Sequence, residues 1–390
     1  MTDTPAAPAE SLLLIVPPAA HATRGLSAHT PVLGLPLLRR IVLAGNRAGL
    51  RPVVSLPVLH GPERLLTGAA TTDPAAREAM WPPRRIVICP ANVLVQADWL
   101  RELSTRPIEP EVLYVDDSMV GLLETKDSPR VLAAAGCART ADELFGALER
   151  WMPRTPSRLD RGGRFALSRS EDLLAAETWL LRSLIKPHEG FMSRHVERRV
   201  SLGITRRLVD TPVTPSAITL TSVAIGLLSA PFFLSARPAW QLVGALIFLL
   251  HSILDGCDGE LARLKFLDSR AGAILDFWGD NVVHVAVFTC MTLGWTWASR
   301  SPWPLAVGAA AIASVGIATI VLSRRGLGPQ ASAGASRAAR IVDSLGNRDF
   351  IYLVLALAAF GQAWWFLALV ATGTPLFVLL ALQATRRQPA

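Results

Sequence analysis

The sequence of 390 residues is long enough for two domains, and 51% of its residues are hydrophobic. Its mean hydropathy of +0.36 excludes an ordinary soluble enzyme, and the apolar excess lies in the second half of the chain. The formal net charge of +8 suits an anionic membrane face or a phosphate substrate; because the basic residues lie beside apolar segments, nucleic acid is not expected as a partner. Four scattered cysteines predict neither a disulfide framework nor a zinc site.

The first 160 residues are predicted to form a tail and one domain. Residues 1–10 lack the basic start and the cleavage site of a signal peptide, so we expect a short disordered tail. Residues 11–160 alternate strand and helix patterns, which predicts an α/β domain with a mostly parallel sheet. The predicted strands are 11–16, 52–59, 85–89 and 111–115, and the predicted helices are 36–48 and a segment around Leu100.

Three pieces of this domain resemble a sugar-nucleotidyltransferase domain, which implies a Rossmann-like fold: the first strand, residues 34–40 and residues 88–100. Catalytic members follow the first strand with a glycine-rich phosphate loop, but this chain has Pro17 and Pro18 there, which offer no such backbone donors. The expected lysine is absent, and the metal-holding aspartate is replaced around residues 90–92. We therefore expect a non-catalytic domain, in which Asp116 and Asp117 form either a turn or a metal site.

Residues 161–215 predict a charged juxtamembrane connector. An amphipathic helix pattern at 170–185 is followed by a second helix that is rich in arginine. Two interpretations stay open for these arginines. They hold anionic lipid headgroups, or one or two of them, with Arg194 as the candidate, receive the phosphate of a charged acceptor.

Six apolar stretches predict a transmembrane domain over residues 216–385, since a span needs ~20 mostly apolar residues. They cover about 217–236, 239–254, 272–297, 303–322, 350–366 and 368–384, and the second must continue beyond residue 254 to span. Basic residues crowd the loops on one side, while the other side shows Arg237 and Arg300. The positive-inside rule predicts both termini at the cytoplasmic face.

Four aspartates lie around the junction of the second and third stretches: Asp255, Asp258, Asp276 and Asp280. Each costs ~3 kcal/mol at membrane depth, so such residues persist mainly where they are paired or bind ions. Spacings of three and four place each pair on one helix face, and two packed helices bring all four carboxylates together. Such a cluster suits Mg²⁺ or Mn²⁺. The alternative is a pair of capped helix ends with solvated charges.

Three further residues fit a phosphate ligand beside this cluster. Gly259 and Gly272 remove side chains where a nucleotide or a facing helix must approach closely. Arg263 supplies a fixed cation that is suited to phosphate.

The whole pattern resembles the signature of the CDP-alcohol phosphatidyltransferase family: two Asp three apart, Gly, Ala-Arg, then Gly and two Asp four apart. The resemblance implies two metal ions held by Asp255, Asp258 and Asp276, with Asp280 beside them as a further ligand and as general base. It implies a homodimer in the bilayer and a CDP site formed by Thr219, Gly259, Ala262, Arg263, Ser269 and Gly272. Arg348, at the start of the fifth stretch, completes the acceptor pocket or forms a helix-cap ion pair.

The expected function is transfer of a phospho-alcohol group from a CDP-alcohol to an acceptor hydroxyl, with release of CMP at the cytoplasmic face. Two alternatives remain. In one, the N-terminal domain also makes the CDP-activated donor, because residues 161–215 resemble the join in archaeal bifunctional enzymes that make CDP-inositol and couple it to inositol phosphate. In the other, the intramembrane aspartates belong to a transporter or metal channel.

Overall fold

The computed structural model describes residues 11–19, 26–55, 58, 70–71, 85–156, 162–185, 191–324 and 350–386, without the side chains of 70–71, 319, 321–324 and 377–386. The chain forms two compact units, one ending at Leu180 and the other beginning at Leu181. The residues of the predicted connector are therefore divided between the two units.

The N-terminal unit contains eleven strands and several helices within the described residues. The strands are β1 Ser11–Val16, β2 Pro31–Val32, β3 Leu35–Pro36, β4 Arg51–Val54, β5 Ala70–Thr71, β6 Arg85–Pro90, β7 Val93–Val95, β8 Leu113–Val115, β9 Gly121–Glu124, β10 Arg154–Pro156 and β11 Arg164–Ala166. The helices are α1 Leu37–Ala48, α2 Ala97–Thr105, α3 Ser128–Cys137, α4 Ala141–Leu148 and α5 Leu173–Ser183.

The main sheet has seven strands in the order β10-β8-β9-β6-β1-β4-β5. β1 is parallel to both β4 and β6, and β9 is antiparallel to both β6 and β8. All six residues of β1 are buried, as expected for a central strand of a sheet with both faces covered. The prediction of an α/β unit with a parallel sheet is confirmed. The predicted strand at 52–59 is shorter, ending at Val54, and seven short strands were not predicted: β2, β3, β5, β7, β9, β10 and β11.

The C-terminal unit is helical. A π-helical turn at Ser193–Glu197 leads into α6 Arg198–Leu208. The apolar helices are α7 Pro215–Ser229, α8 Pro238–Lys265, α9 Arg270–Ser299, α10 Trp303–Arg324, α11 Phe350–Ala359 and α12 Trp365–Arg386. Three segments are long and apolar enough to cross a membrane: α7 with its 3-10 extension to Leu234, α8 and α9. In the other apolar helices, the segments with described side chains are shorter: Trp303–Ala318 in α10, Phe350–Ala359 in α11 and Trp365–Leu376 in α12.

The helix ends differ from the predicted stretches where proline or glycine changes the backbone. The first span leaves the α-helical form at Ala230, beside Pro231, and ends as a 3-10 turn. α11 ends at Ala359 instead of continuing to 366, because Gly361 adopts a φ of +71° in the following turn. By contrast, α8 continues past residue 254 to Lys265, as expected.

Close helix contacts set the positions of α7 and α9. A Cβ added at Gly279 of α9 would lie 2.5 Å from Val223 of α7, and one at Gly226 of α7 would lie 2.7 Å from Val283 of α9. Because glycine stands at both points, the two backbones can approach each other closely. Behind these contacts, Phe233, Phe248 and Val287 belong to the apolar core of the unit.

Candidate metal and donor site

Three aspartates from two helices meet in the C-terminal unit. Asp255 and Asp258 lie on consecutive turns of α8, and Asp276 lies on the second turn of α9. One ligand oxygen from each lies within 4.8 Å of the other two. α8 ends at Phe266, whose φ of +55° is left-handed, and Ser269 caps α9 by accepting a hydrogen bond from the Gly272 amide. This short connection makes the two helices neighbours.

The three carboxylates fit a hard divalent cation. Asp255 and Asp258 are only 4% and 5% exposed, so their charges are largely removed from water. No hydrogen-bond partner of the buried Oδ1 of Asp276 is found among the described residues. Oxygen atoms of this kind at this separation are the ligands that Mg²⁺ and Mn²⁺ prefer.

Thr219 supports the cluster from α7. Its hydroxyl donates a short hydrogen bond to Oδ2 of Asp258, and its side chain is buried. The resemblance had placed Thr219 in the nucleotide site; the structure places it directly against a candidate metal ligand. Hydrogen bonds of this kind orient ligand carboxylates.

Thr219→Val removes this hydroxyl while nearly keeping the side-chain shape. We expect Mn²⁺ affinity to fall about ten- to a hundredfold, the usual cost of losing a group that orients a ligand. Titration of the purified chain with Mn²⁺, followed by electron paramagnetic resonance, measures this. Thr221→Val is the matched control, because the exposed Thr221 hydroxyl donates to the Ala217 carbonyl in the same helix. Equal Mn²⁺ affinity in the two variants would contradict the role of Thr219.

Asp280 lies one turn beyond Asp276 and is not part of the three-residue group. Its Oδ1 is 3.7 Å from Nε2 of His251, and its side chain is 30% exposed. Nδ1 of His251 lies 2.9 Å from the Ser222 carbonyl oxygen, which can only accept, so Nδ1 carries a proton. His251 thus connects α7, α8 and α9 beside Asp280. His251 could be noticed in the sequence, because it is the single histidine in the apolar run before Asp255.

The two motif glycines differ in the space around them. A Cβ added at Gly259 would have its nearest contact 3.6 Å away, at Nη1 of Arg263, and one at Gly272 would meet the Ser269 hydroxyl at 3.2 Å. The chain's own packing therefore does not require glycine at 259. Ala262 and Arg263 follow on the next turn of α8 and are partly exposed. This surface of α8 can admit a ligand next to the carboxylates.

Gly259→Ala should change stability and activity in opposite directions. Alanine in a helix is favoured over glycine by ~1 kcal/mol, so we expect unfolding at equal or higher denaturant concentration. We also expect release of CMP from a CDP-alcohol to fall more than tenfold, because the added methyl group occupies donor space. Gly316→Ala in α10 is the control, since a Cβ there has nothing within 4 Å. Undiminished CMP release in Gly259→Ala would contradict the assignment.

The two predicted acceptor residues have different outcomes. Arg194 lies in the π-helical turn before α6 and is exposed. Arg348 lies outside the described residues. Among the described residues, no contact joins Arg194 to the aspartate cluster, and the role of both arginines stays a prediction.

A buried glutamate in the same motif was not predicted. Glu260 is fully buried and accepts hydrogen bonds from Arg198, Ser201 and Thr205 of α6. An acidic residue inside an apolar helix is costly, so it was a usable signal. Its partners lie 55 to 62 residues earlier, which no local spacing indicates.

In the N-terminal unit, Asp116 and Asp117 are held by an arginine. Oδ1 of Asp116 accepts from the amides of Ser118 and Val120, which forms a turn. The buried Arg164 pairs with Oδ2 of Asp116 at 2.5 Å and with Oδ1 of Asp117 at 2.6 Å. Burial raises the pKa of Asp116, while Arg164 and the two amides act in the opposite direction. Of the two interpretations of this pair, the geometry favours the turn.

Comparison with known proteins relates the C-terminal unit to one family. Residues 212–345 match the family described as CDP-alcohol phosphatidyltransferase. A 107-residue segment is 36% identical to the bifunctional IPC transferase and DIPP synthase of Thermococcus kodakarensis, covering 27% of this chain and 24% of that protein. A 183-residue segment is 28% identical to the CDP-diacylglycerol–serine O-phosphatidyltransferase of Mycobacterium bovis, covering 45% of this chain and 61% of that protein.

Solved structures are also similar. One of them is the phosphatidylinositol phosphate synthase of Mycobacterium tuberculosis with CDP-DAG bound, at 20% identity and a TM-score of 0.36, covering 49% of this chain and 96% of that one. The chain spans about a quarter of the length of the bifunctional relatives that it matches, 24% and 28% in two of them.

Proposed function

Because the C-terminal region contains a CDP-alcohol phosphatidyltransferase domain, we propose that the chain transfers a phospho-alcohol group from a CDP-alcohol to an acceptor hydroxyl and releases CMP. The observation that carries this proposal is the meeting of Asp255, Asp258 and Asp276, with ligand oxygens within 4.8 Å, between two apolar helices. The partly exposed Gly259 and Arg263 lie on the turns of α8 next to them.

Asp255, Asp258 and Asp276 would hold divalent cations, two Mg²⁺ or Mn²⁺ ions by the family resemblance, with Asp280 next to them. When bound, such cations neutralise the pyrophosphate and the charge that develops on the leaving CMP. Thr219 keeps the carboxylate of Asp258 oriented for this purpose.

The remaining residues bind the donor and move one proton. The guanidinium of Arg263 binds a phosphate of the CDP group, and Gly259, Gly272, Ala262 and Ser269 border it. A carboxylate oxygen of Asp280 accepts the proton of the acceptor hydroxyl. The acceptor oxygen forms a bond to the phosphorus next to the transferred alcohol, and the bond from that phosphorus to the CMP oxygen breaks.

A charged acceptor would be held by arginines at the membrane surface. Arg194 and Arg348 are the candidates, since a phosphate on the acceptor needs cations near the site. An inositol phosphate or a glycerol phosphate acceptor carries such a phosphate. An acceptor with an uncharged lipid hydroxyl does not need these arginines.

The domain would lie in the bilayer as six helices, with both termini and the aspartates at the cytoplasmic face. Three apolar helices are long enough to cross, and the three shorter apolar segments are proposed to complete the six. The distribution of arginine between the loops supports the orientation. Association of two chains through the membrane helices is proposed from the family resemblance.

The N-terminal unit is proposed to be non-catalytic. Arg164 already neutralises Asp116 and Asp117, which leaves this pair poorly suited to a metal ion. A bifunctional chain that also makes its own donor is the alternative. Full-length protein carrying Asp276→Asn, given CTP and phosphorylated alcohols, should release no pyrophosphate. Release of pyrophosphate would favour the bifunctional enzyme.

The main experiment incubates the purified chain with a panel of CDP-alcohols and acceptors and follows CMP. We expect CMP release that requires Mg²⁺ or Mn²⁺ and stops with a chelator. Such release also excludes a transporter. If no donor yields CMP, or if chelation leaves the rate unchanged, the proposal is wrong.

A further inference from the structure

The face of residues 193–205 that packs inward is polar. Ser193, Glu197, Ser201 and Thr205 recur every fourth residue, and all four are buried. On other faces Val196 and Val200 are 42% and 45% exposed. This is the reverse of a helix that packs on a protein core through an apolar stripe. Such a face is stable only against a polar partner.

Glu260 of α8 is the partner of Ser201 and Thr205 on this face, while Glu197 accepts from the Ser252 hydroxyl of α8 at 3.5 Å. Oε1 of Glu260 accepts from Nη1 of Arg198 at 2.6 Å and from the Ser201 hydroxyl at 2.7 Å. Its Oε2 accepts from the Thr205 hydroxyl at 2.6 Å. Both carboxylate oxygens are thus engaged, and every one of these donors belongs to α6.

The contact extends along the signature segment of α8. The Cys257 thiol donates to the Ser201 carbonyl at 3.5 Å, and Nζ of Lys265 donates to the Thr211 carbonyl at 2.8 Å. A Cβ added at Gly256 would lie 3.5 Å from Nη1 of Arg198. α6 and the residues after it, up to Thr211, therefore cover α8 from residue 256 to residue 265.

α6 covers the side of α8 that faces away from the aspartates. Residues two apart on a helix differ by about 200° in direction, so Glu260 and Asp258 face nearly opposite sides. On one side of these two turns of α8, Glu260 binds α6. Asp258 and Arg263 lie on other sides of the same turns. Rotation of α8 about its axis would break the Glu260 bonds and turn the donor residues away.

We propose that Glu260 is a positioning residue for the donor site, which fixes the rotation of α8 by docking α6 against it. This inference rests on the proposed function. A buried ion pair adds little net stability compared with apolar packing, but it can specify one arrangement of helices. Three donors on one carboxylate define such an arrangement.

The test compares three variants for KM and kcat with a CDP-alcohol. Glu260→Ala should raise the KM of the donor about ten- to a hundredfold, because small displacements of binding groups have effects of this size. Glu260→Asp keeps the carboxylate and should recover most of the loss. Gln241→Ala is the matched control: Gln241 is also buried on α8, donates to the Ser235 carbonyl and accepts from the Ala363 amide, each at 3.0 Å.

The split between KM and kcat separates positioning from a general loss of structure. Partial unfolding lowers the rate in proportion to the folded fraction and leaves KM unchanged, and this is the result we expect for Gln241→Ala. An unchanged KM in Glu260→Ala would overturn the proposal. A KM that rises equally in Gln241→Ala would also overturn it.

A second measurement does not depend on activity. Arg206 and Arg207 are exposed on α6, so trypsin should cleave there faster once α6 is released. We expect faster cleavage in Glu260→Ala than in wild type or Gln241→Ala, and equal rates would overturn the docking role. If the wild-type chain releases no CMP, the proposed function is wrong, and the role of Glu260 in positioning the donor is wrong with it. The rate of trypsin cleavage still reports whether Glu260 docks α6.

Discussion

Asp276→Asn should release no CMP above about a thousandth of the wild-type rate and should lose Mn²⁺ binding. The reason is that Asp276 contributes an oxygen to the three-carboxylate cluster, with ligand atoms within 4.8 Å of one another. Loss of a direct ligand should exceed the ten- to hundredfold effect of losing a residue that only supports a ligand. CMP release and Mn²⁺ titration on the same preparation measure both effects.

Asp210→Asn is the control for Asp276→Asn. Asp210 is an exposed aspartate in the same unit, so the substitution removes the same charge away from the cluster. We expect it to bind Mn²⁺ and release CMP as the wild type does. If Asp276→Asn retains Mn²⁺ binding and turnover, the cluster is not a metal centre.

Asp280→Asn should separate binding from chemistry. Loss of a general base costs about 10²–10⁴-fold in turnover, while the neutral amide keeps the shape of the side chain. We expect turnover to fall within that range and the affinity for the CDP-alcohol to stay nearly unchanged. Single-turnover kinetics and equilibrium binding of the donor measure the two quantities.

Asp280→Asn has a second possible outcome, because Asp280 is a candidate metal ligand as well as the candidate base. Its carboxylate lies next to the three-residue group, and its role as a metal ligand comes from the family resemblance. If Asp280→Asn loses Mn²⁺ binding as Asp276→Asn does, Asp280 acts as a ligand, and the loss of turnover then reports the loss of metal and not the loss of a base. Asn281→Ala, on the same turn of α9, is the control and should retain turnover.

The aspartate cluster could be predicted from the sequence because its geometry is local. Asp255 and Asp258 share a helix face by spacing alone, and Asp276 follows after a connection of a few residues. The continuation of α8 to Lys265 followed from the length that a span requires. The position of Asp280 next to His251 was not predictable, because it depends on the relative rotation of three helices.

Contacts between distant segments were missed. The acidic side chain of Glu260 and the repeated Ser201 and Thr205 are visible in the sequence, but nothing in their spacing pairs α6 with α8. In the N-terminal unit, β9 is a four-residue strand that inserts antiparallel between β6 and β8. A pattern that short carries little periodicity, and its place in the sheet is set by non-local pairing.

The turn between α8 and α9 has a consequence for biogenesis. Asp255 and Asp276 are 21 positions apart, so the loop that must close to bring them together is short and its entropic cost is small. A helical hairpin of this kind assembles quickly, before segments that are more remote along the chain find their partners. During insertion, the mutual repulsion of the carboxylates therefore acts on a hairpin that the more remote α11 has not yet buttressed. Divalent ions present at that moment would offset this repulsion, so we expect metal supply to affect the yield of folded protein as well as its turnover.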